Sequence, residues 1–275
     1  MTDISVADLV IYPIKGSRGS SLETVEVTSE GFTGDRVFTV TRDGKRVAQK
    51  QIPRLKYLQA VWSKNGLELN CPGRKSFLLE PQSSGPGGQL MSITRTVATI
   101  DMGEAVANWL SHCLEETVRL VKAASADPLA VPLAEFKLID GMKQAKFVDI
   151  APVLLTNEAT LLDLNSRLSA PVLMNRFRPN LVLRGLLAYQ EDALQQLVLP
   201  TVNLQNMVVC ERCAVTTFSQ ESDLSSKEPL QTLSRYRRRE NHYAGGVMFG
   251  TYLACPGKGT ISLGDRVTLA ESSQG

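Results

Sequence analysis

Cys210 and Cys213 stand three apart in 208-VVCERCAVTTFSQES-222, with Glu211 and Arg212 between them. Cysteines so spaced serve as half of a zinc site, as a redox couple, as apolar filler, or as one working thiolate with a neighbour, and each use needs different company. Structural zinc takes four nitrogen or sulfur ligands, usually from two close pairs. The chain has five cysteines and two histidines, and Cys71, Cys113, Cys255, His112 and His242 are scattered singly. A plant-type iron–sulfur centre fails on the same spacing. A thioredoxin-like couple belongs at a helix N-terminus, whereas the flanks here, VV and AVTTF, favour strand. Two cysteines filling a β core remain one reading. The other is a thiolate at a strand end or bulge, where Arg212 favours the charged form of Cys213.

The elements that must carry this pair are mostly strands. Residues 1–80 contain ISVADLVIYPIK, LETVEVTSEG, RVFTVTRDGKRVAQ, YLQAVWSKNGLELNC and KSFLLE, β-branched runs separated by Asp43-Gly44 and Asn65-Gly66 turns. Such runs without long intervening helices predict a small barrel or rolled sheet. The segment 81-PQSSGPGGQL-90 reads as a loop by composition. In 101–114, Val106, Trp109, Leu110 and Cys113 recur at helical spacing after an acidic start, which predicts a helix with Cys113 in the core. The small-residue and proline-rich run 123-AASADPLAVPLAEF-136 connects the two parts of the chain. A second helix is expected over 156–168, capped by Thr156 or Asn157. Strands follow in PNLVLRG, NMVVCERC, GTYLACP and GTISLGDRVTL, with a third helix over 226–239 whose arginines suit its C-terminal end.

The whole chain sets bounds. With 275 residues, 43% hydrophobic and 21% charged, it is long enough for one large core or two smaller ones. A net charge of +2 gives little long-range attraction for nucleic acid, so any basic site must be local. The start, MTDISVADLVIYPIKGS, has no basic leader followed by an apolar run, and no stretch approaches the ~20 apolar residues of a membrane span. A cytoplasmic protein with reduced cysteines is the expectation.

Taken in order, IYPIKGS, GDRVF, DLNSR, NRFRPN, CERCAVTT, SKEPL, FGTY and GTISLGDRV resemble the MOSC-domain proteins that carry an N-terminal β-barrel domain, and among them the mitochondrial amidoxime reducing component and its bacterial relatives. The resemblance runs over about residues 6–269. It implies a mainly β (α+β) fold of two barrel-like domains, residues 1–122 and 123–271, the second holding a cofactor with contributions from the first. The implied cofactor is molybdenum on a pyranopterin dithiolene (molybdopterin), with Cys213 as the protein ligand and Cys210 as loop support. No iron–sulfur cluster is expected on this chain.

By position in the family motifs, Lys15, Gly16, Arg36, Asp149, Ala151, Arg178, Asn180, Glu211, Arg212 and Tyr252 fall on cofactor contacts. The chemistry agrees, because an anionic pterin phosphate and dithiolene need cations and N–H donors. Each residue also has a plain structural reading. Lys15 and Arg36 suit solvated turns, Arg36 can pair with Asp35, Asn180 can cap a turn or meet a heterocycle edge, and Tyr252 can fill a core. Pro179 is expected to hold Arg178 extended. Gly16 and Glu211 stand where serine is common in the family. The implied activity is reduction of amidoximes, hydroxylamines and N-hydroxylated bases to amines, and the rival is a non-catalytic cofactor carrier or sulfur-transfer module. A monomer fed by a separate ferredoxin- or flavodoxin-like donor is expected, with Arg235, Arg237, Arg238 and Arg239 as its docking cluster. No nucleic-acid or membrane partner is expected, and His242, in RRRENHYAGG, reads as a loop residue rather than a catalytic acid.

Overall fold

In the computed structural model of the chain the described residues are 3–80, 85–91, 96–124, 127–128, 143–144, 146–223, 226–239 and 246–269. Most of the connecting run 123–136 and His242 lie outside them. An eight-stranded sheet has the order Thr268–Leu269, Gln196–Val198, Asn203–Glu211, Met248–Ala254, Val153–Asn157, Leu181–Arg184, Ser5–Ile11 and Ser20–Ser21. Its one parallel pair, Val153–Asn157 with Leu181–Arg184, is connected through helix α2 (Glu158–Ser166), as parallel neighbours require. A six-stranded sheet is built around Phe38–Arg42 and Arg119–Ala123, and two three-stranded sheets and one two-stranded pair complete the described β framework. None of these sheets returns on itself. Closure needs pairing around a full ring, and edges such as Ser20–Ser21 and Thr268–Leu269 are only two residues long. The expected barrels are therefore open sheets, in two β-rich units.

Turn chemistry works as the sequence suggests. Asp43 and Gly44 both have positive φ (50° and 69°) between the paired Arg42 and Lys45, which is what a two-residue hairpin loop requires. Helix α1 (Glu104–Leu114) buries Val106, Leu110, Cys113 and Leu114 on one face, and Trp109 packs at its margin against Phe77. In α2 the Asn157 side chain accepts the Ala159 N–H at 3.2 Å, the expected cap.

Three expectations fail for tertiary reasons. Gly87–Met91 is a strand paired with Thr96–Asp101, so half of the composition-defined loop is sheet. Of the third helix only Leu230–Leu233 is helical. Beyond it Arg237 and Arg239 turn to bond Met248 and Gly246 through the backbone, and both side chains reach Asp192. The cysteines are not all reduced: Cys71, after the strand Gly66–Asn70, and Cys113 on α1 face each other with Cα atoms 6.2 Å apart and form a disulfide. Bridgeable geometry in the fold, invisible to spacing, decides this. Among the described residues no helix is long and apolar enough to cross a membrane.

Two hydrophobic cores organise the molecule. One joins Val6, Leu9, Ile11, Val25 and Phe32 from the start of the chain to Val153, Leu155, Leu181, Leu183 and Leu253. The other packs Ile14, Phe38, Val40, Leu55 and Leu69 against α1. The chain thus passes from the first core to the second between Ile11 and Ile14, and again between Phe32 and Val37. A third passage runs from Phe147, in a smaller cluster with Val97 and Val121, to Val153.

Candidate functional site

A cavity of about 190 Å³ opens where these passages meet. Its wall brings together all eleven residues singled out by sequence: Lys15, Gly16, Arg36, Asp149, Ala151, Arg178, Asn180, Glu211, Arg212, Cys213 and Tyr252. Lys15 and Gly16 directly follow the first passage, Arg36 lies on the second, and Asp149 and Ala151 on the third. Arg178 and Asn180 precede the strand Leu181–Arg184, Tyr252 lies within Met248–Ala254, and Glu211 ends Asn203–Glu211. Cys213 follows a register shift between Val209 and Glu211, so the strand-end-or-bulge reading holds. The threonine-rich stretch after it is a short 3-10 segment, Ala214–Thr217, rather than strand, with Thr216 donating its N–H to the Cys213 carbonyl at 3.2 Å.

Cations dominate this wall. Lys15 Nζ lies 2.6 Å from Asp149 Oδ2 and donates to the Phe147 carbonyl at 2.7 Å. Burial pulls Lys15 down from the usual 10.5 to about 8, against the attraction of Asp149. For Asp149 burial works in favour of the neutral form, yet Lys15, Arg46 and Arg36 outweigh it and hold the carboxyl below the usual range. Arg36 is not a solvated turn residue. It is largely buried, pairs with Asp35, and donates to Asn180 Oδ1 at 3.0 Å. Its burial disfavours the cation, but Asp35 more than compensates.

Arg178 donates to the Ser17 carbonyl at 2.6 Å and forms no ion pair with a carboxylate among the described residues. Burial, reinforced by the nearby Arg36 and Arg212 cations, pulls it down to about 10, still charged at neutral pH. Its φ is +55°, so it is not held extended before Pro179: the turn that follows Met174–Arg176 and bonds Arg178 N–H to the Asn175 carbonyl sets a left-handed backbone instead. Arg212 does not aim at Cys213. Its Nη1 lies 2.8 Å from the buried Cys210 sulfur and its Nη2 donates to the Phe177 carbonyl at 2.6 Å, while the buried Nε has no hydrogen-bond partner. Burial pushes the Cys210 thiol up in spite of Arg212, whereas Cys213 is exposed to the cavity. Asn180 is spoken for by the fold: its Oδ1 accepts from Arg36 and Leu154 N–H, and its Nδ2 donates to the Val10 carbonyl.

Sequence reasoning missed Tyr12. The Arg178 and Arg36 guanidinium groups lie 4.1 and 4.8 Å from the centre of its ring, and its hydroxyl donates to the Pro179 carbonyl. Burial pushes Tyr12 up to about 12, although both arginines oppose this. Its place in IYPIKGS, three residues before the motif lysine, was the available signal. Arg46 and Gln49, on the return of the Asp43-Gly44 hairpin, also line the cavity, and nothing in their local sequence marks them.

Residues 3–117 match the MOSC N-terminal beta barrel domain and residues 143–268 the MOSC domain. The chain belongs to the MOSC-domain family. It is 32% identical to mitochondrial amidoxime-reducing component 1 of Homo sapiens, over 96% of this chain and 82% of that protein. The Mus musculus counterpart is 34% identical and component 2 of Bos taurus 30%, each with the same coverage of both chains. In this MOSC protein the cavity lies against both matched regions, with Lys15, Arg36 and Arg46 from the first and the remaining cations from the second. The donor set suits an anionic ligand: five lining cations face two lining carboxylates, a buried Arg212 N–H is unused, and a lone accessible thiol stands at the mouth.

Proposed function

We propose that this protein binds a molybdenum–pyranopterin cofactor in the cavity and reduces N-hydroxylated compounds to amines. The observation that carries the reading is the convergence of Lys15, Arg36, Arg178 and Arg212 with one accessible cysteine, Cys213, on a single wall. Buried cations in excess of their counter-ions are costly until an anion arrives, and a thiolate is a soft metal ligand. When bound, the cofactor supplies the two-electron chemistry that removes oxygen from an N–OH group. The protein's part is to hold and orient. Arg36, fixed by Asp35 and Asn180, and Arg178, fixed by Ser17 and Tyr12, present rigid N–H donors to the anionic end. Arg212, tied to Cys210 and Phe177, stiffens the chain between Glu211 and Cys213. Electrons come from a separate acidic donor protein. Of the expected docking cluster, Arg237 and Arg239 are committed to Asp192, and the exposed Arg235 is the arginine assigned to such a surface.

The test is amine formation, by mass spectrometry, from amidoximes and N-hydroxylated bases with cofactor-loaded protein and an artificial reductant, empty protein serving as control. Amine above control supports the reading. Confirmed cofactor occupancy with no turnover across several substrates identifies a carrier instead.

A further inference from the structure

The chain after Cys213 is fastened to the other unit by a buried lysine. Lys56 lies in the 3-10 segment Pro53–Tyr57 and is only 4% exposed. Its Nζ donates to the Ser222 carbonyl at 2.5 Å and pairs with Asp223 Oδ1 at 2.9 Å, and Tyr57 donates its hydroxyl to the same carboxylate at 2.8 Å. Asp223 itself is 86% exposed at the side chain. The oxygens that receive this buried ammonium therefore both come from one short stretch, residues 222–223. Were that stretch to lift away, the ammonium would lose both oxygens at once.

The stretch is continuous with Cys213 through a chain of local bonds. Thr216 binds the Cys213 carbonyl by both N–H and hydroxyl, Phe218 N–H bonds Val215, and Ser219 Oγ accepts from Glu221 and Ser222 N–H. Gln220, buried, exchanges amide hydrogen bonds with Gln49 at 3.0 and 3.2 Å, and Gln49 also donates to the Gly16 carbonyl at 2.7 Å. The same segment Pro53–Tyr57 is anchored behind by Arg54, whose Nε donates to the Cys113 carbonyl at 3.1 Å. Lys56 thus stands between a fixed base and the loop that bears the exposed thiol.

We propose that Lys56 is a positioning residue: by clamping Ser222 and Asp223 to the N-terminal unit it fixes the loop that presents Cys213 to the cavity. The clamp deepens the cofactor-binding reading, yet it is a property of the protein alone. An uncharged side chain of the same length would pack but would not bind the two oxygens, and the loop would open more often. Beside the Gln49–Gln220 pair and the Arg176 bonds to the Thr216 and Thr217 carbonyls, Lys56 holds the far end of the loop, and losing one of these anchors raises the population of open loop.

The experiment is amide hydrogen exchange by mass spectrometry on the full chain without cofactor, followed by the rate of pterin loss from cofactor-loaded protein. Lys56→Met is expected to speed exchange in the peptide spanning 213–223 at least tenfold while α1 and Val153–Asn157 keep their protection, and Lys56→Arg is expected to restore it. Asp223→Asn, an exposed change that removes the ion pair and keeps the fold, should move the same peptide in the same direction. Faster pterin loss from Lys56→Met then ties the clamp to the site. Unchanged exchange of 213–223 in Asp223→Asn and in folded Lys56→Met overturns the proposal, as does an increase spread evenly over the whole chain. Wild-type protein that shows the clamp but takes up no pterin leaves Lys56 standing and removes the cofactor reading.

Discussion

One titrating group should make stability and ligand affinity move in opposite directions with pH. Lys15 is largely buried against Phe147 and Asp149, and burial lowers it from 10.5 to about 8. The folded value lies below the unfolded one, so between the two the unfolded chain binds more protons and stability rises with pH. The penalty for the buried ammonium is fully present below about 8 and is relieved as pH climbs from about 8 towards 10.5. At about 1.36 kcal/mol for each pH unit, that interval corresponds to roughly 3 kcal/mol. An anion in the cavity has the reverse interest, since it needs the ammonium charged. In the limit where only the charged form binds, the dissociation constant grows by the factor 1 + 10^(pH − 8), about thirtyfold by pH 9.5.

Sulfate is a suitable probe because it stays a dianion over this range. Urea unfolding of wild type and Lys15→Met from pH 7 to 10 gives the stability difference, in which other titrating groups largely cancel. That difference should favour wild type progressively by up to roughly 3 kcal/mol. Sulfate titration followed by calorimetry in buffers of different ionisation enthalpy should show proton uptake by wild type near pH 8.5 and none by the variant. A stability difference that stays flat with pH, or a sulfate affinity that does not weaken above pH 8, refutes the assignment of Lys15 as a buried, anion-facing cation.

Cys213→Ser should abolish amine formation and pterin-bound metal retention, because a hydroxyl is a poor replacement for a soft thiolate, whereas Cys210→Ser should retain metal and lose activity only in part; metal analysis beside turnover separates the two. Cys71→Ser with Cys113→Ser should lower unfolding free energy by about 4 kcal/mol on the chain-entropy account for a separation of 42 residues, read as a shift of the urea midpoint that wild type reproduces on adding a reductant. Arg237→Ala should cost about 2–3 kcal/mol of stability, since Asp192 is 10% exposed and keeps only Arg239 as a cationic partner among the described residues, while charge reversal at the exposed Arg235 should leave stability unchanged and slow electron delivery by an acidic donor at low salt alone.

What could be read from sequence was whatever local rules decide. The Asp43-Gly44 hairpin, the Asn157 cap and the α1 stripe depend on residues within a few positions of one another, and all three appear as expected. The failures share the opposite property. Arg237 leaves a helical pattern because Asp192, 45 residues away, and the Met248 backbone offer better partners. The Cys71–Cys113 bridge depends on how α1 lies against the strand Gly66–Asn70, and the backbone of Arg178 depends on a turn closed by Asn175. The eleven site residues came from ordered family motifs, since no local pattern links Lys15 to Tyr252. Tyr12, Arg46 and Gln49 escaped because their importance lies in what they touch.

The location of the cavity follows from how the chain uses its two cores. Each passage between them interrupts the apolar pattern, and at such an interruption polar groups can be placed at a depth that a strand interior would not tolerate. Arg36 and Asp149 lie on two of these passages, and Lys15 directly follows the other. The backbone bears the mark of it. Gly16, Arg36 and Arg178 have φ of 86°, 45° and 55°, and for the two arginines a left-handed conformation costs about 1–2 kcal/mol that glycine would not incur. Glycine would relax both turns, but it would remove two guanidinium groups, that of Arg36, which Asp35 holds charged, and that of Arg178, which burial and the Arg36 and Arg212 charges make costly. Packing and turn geometry alone favour the relaxed alternative at both positions. An unfavourable backbone at both arginines, joined at Arg178 by a buried charge that is lowered by burial and by its cationic neighbours, is what an anion-binding site would require.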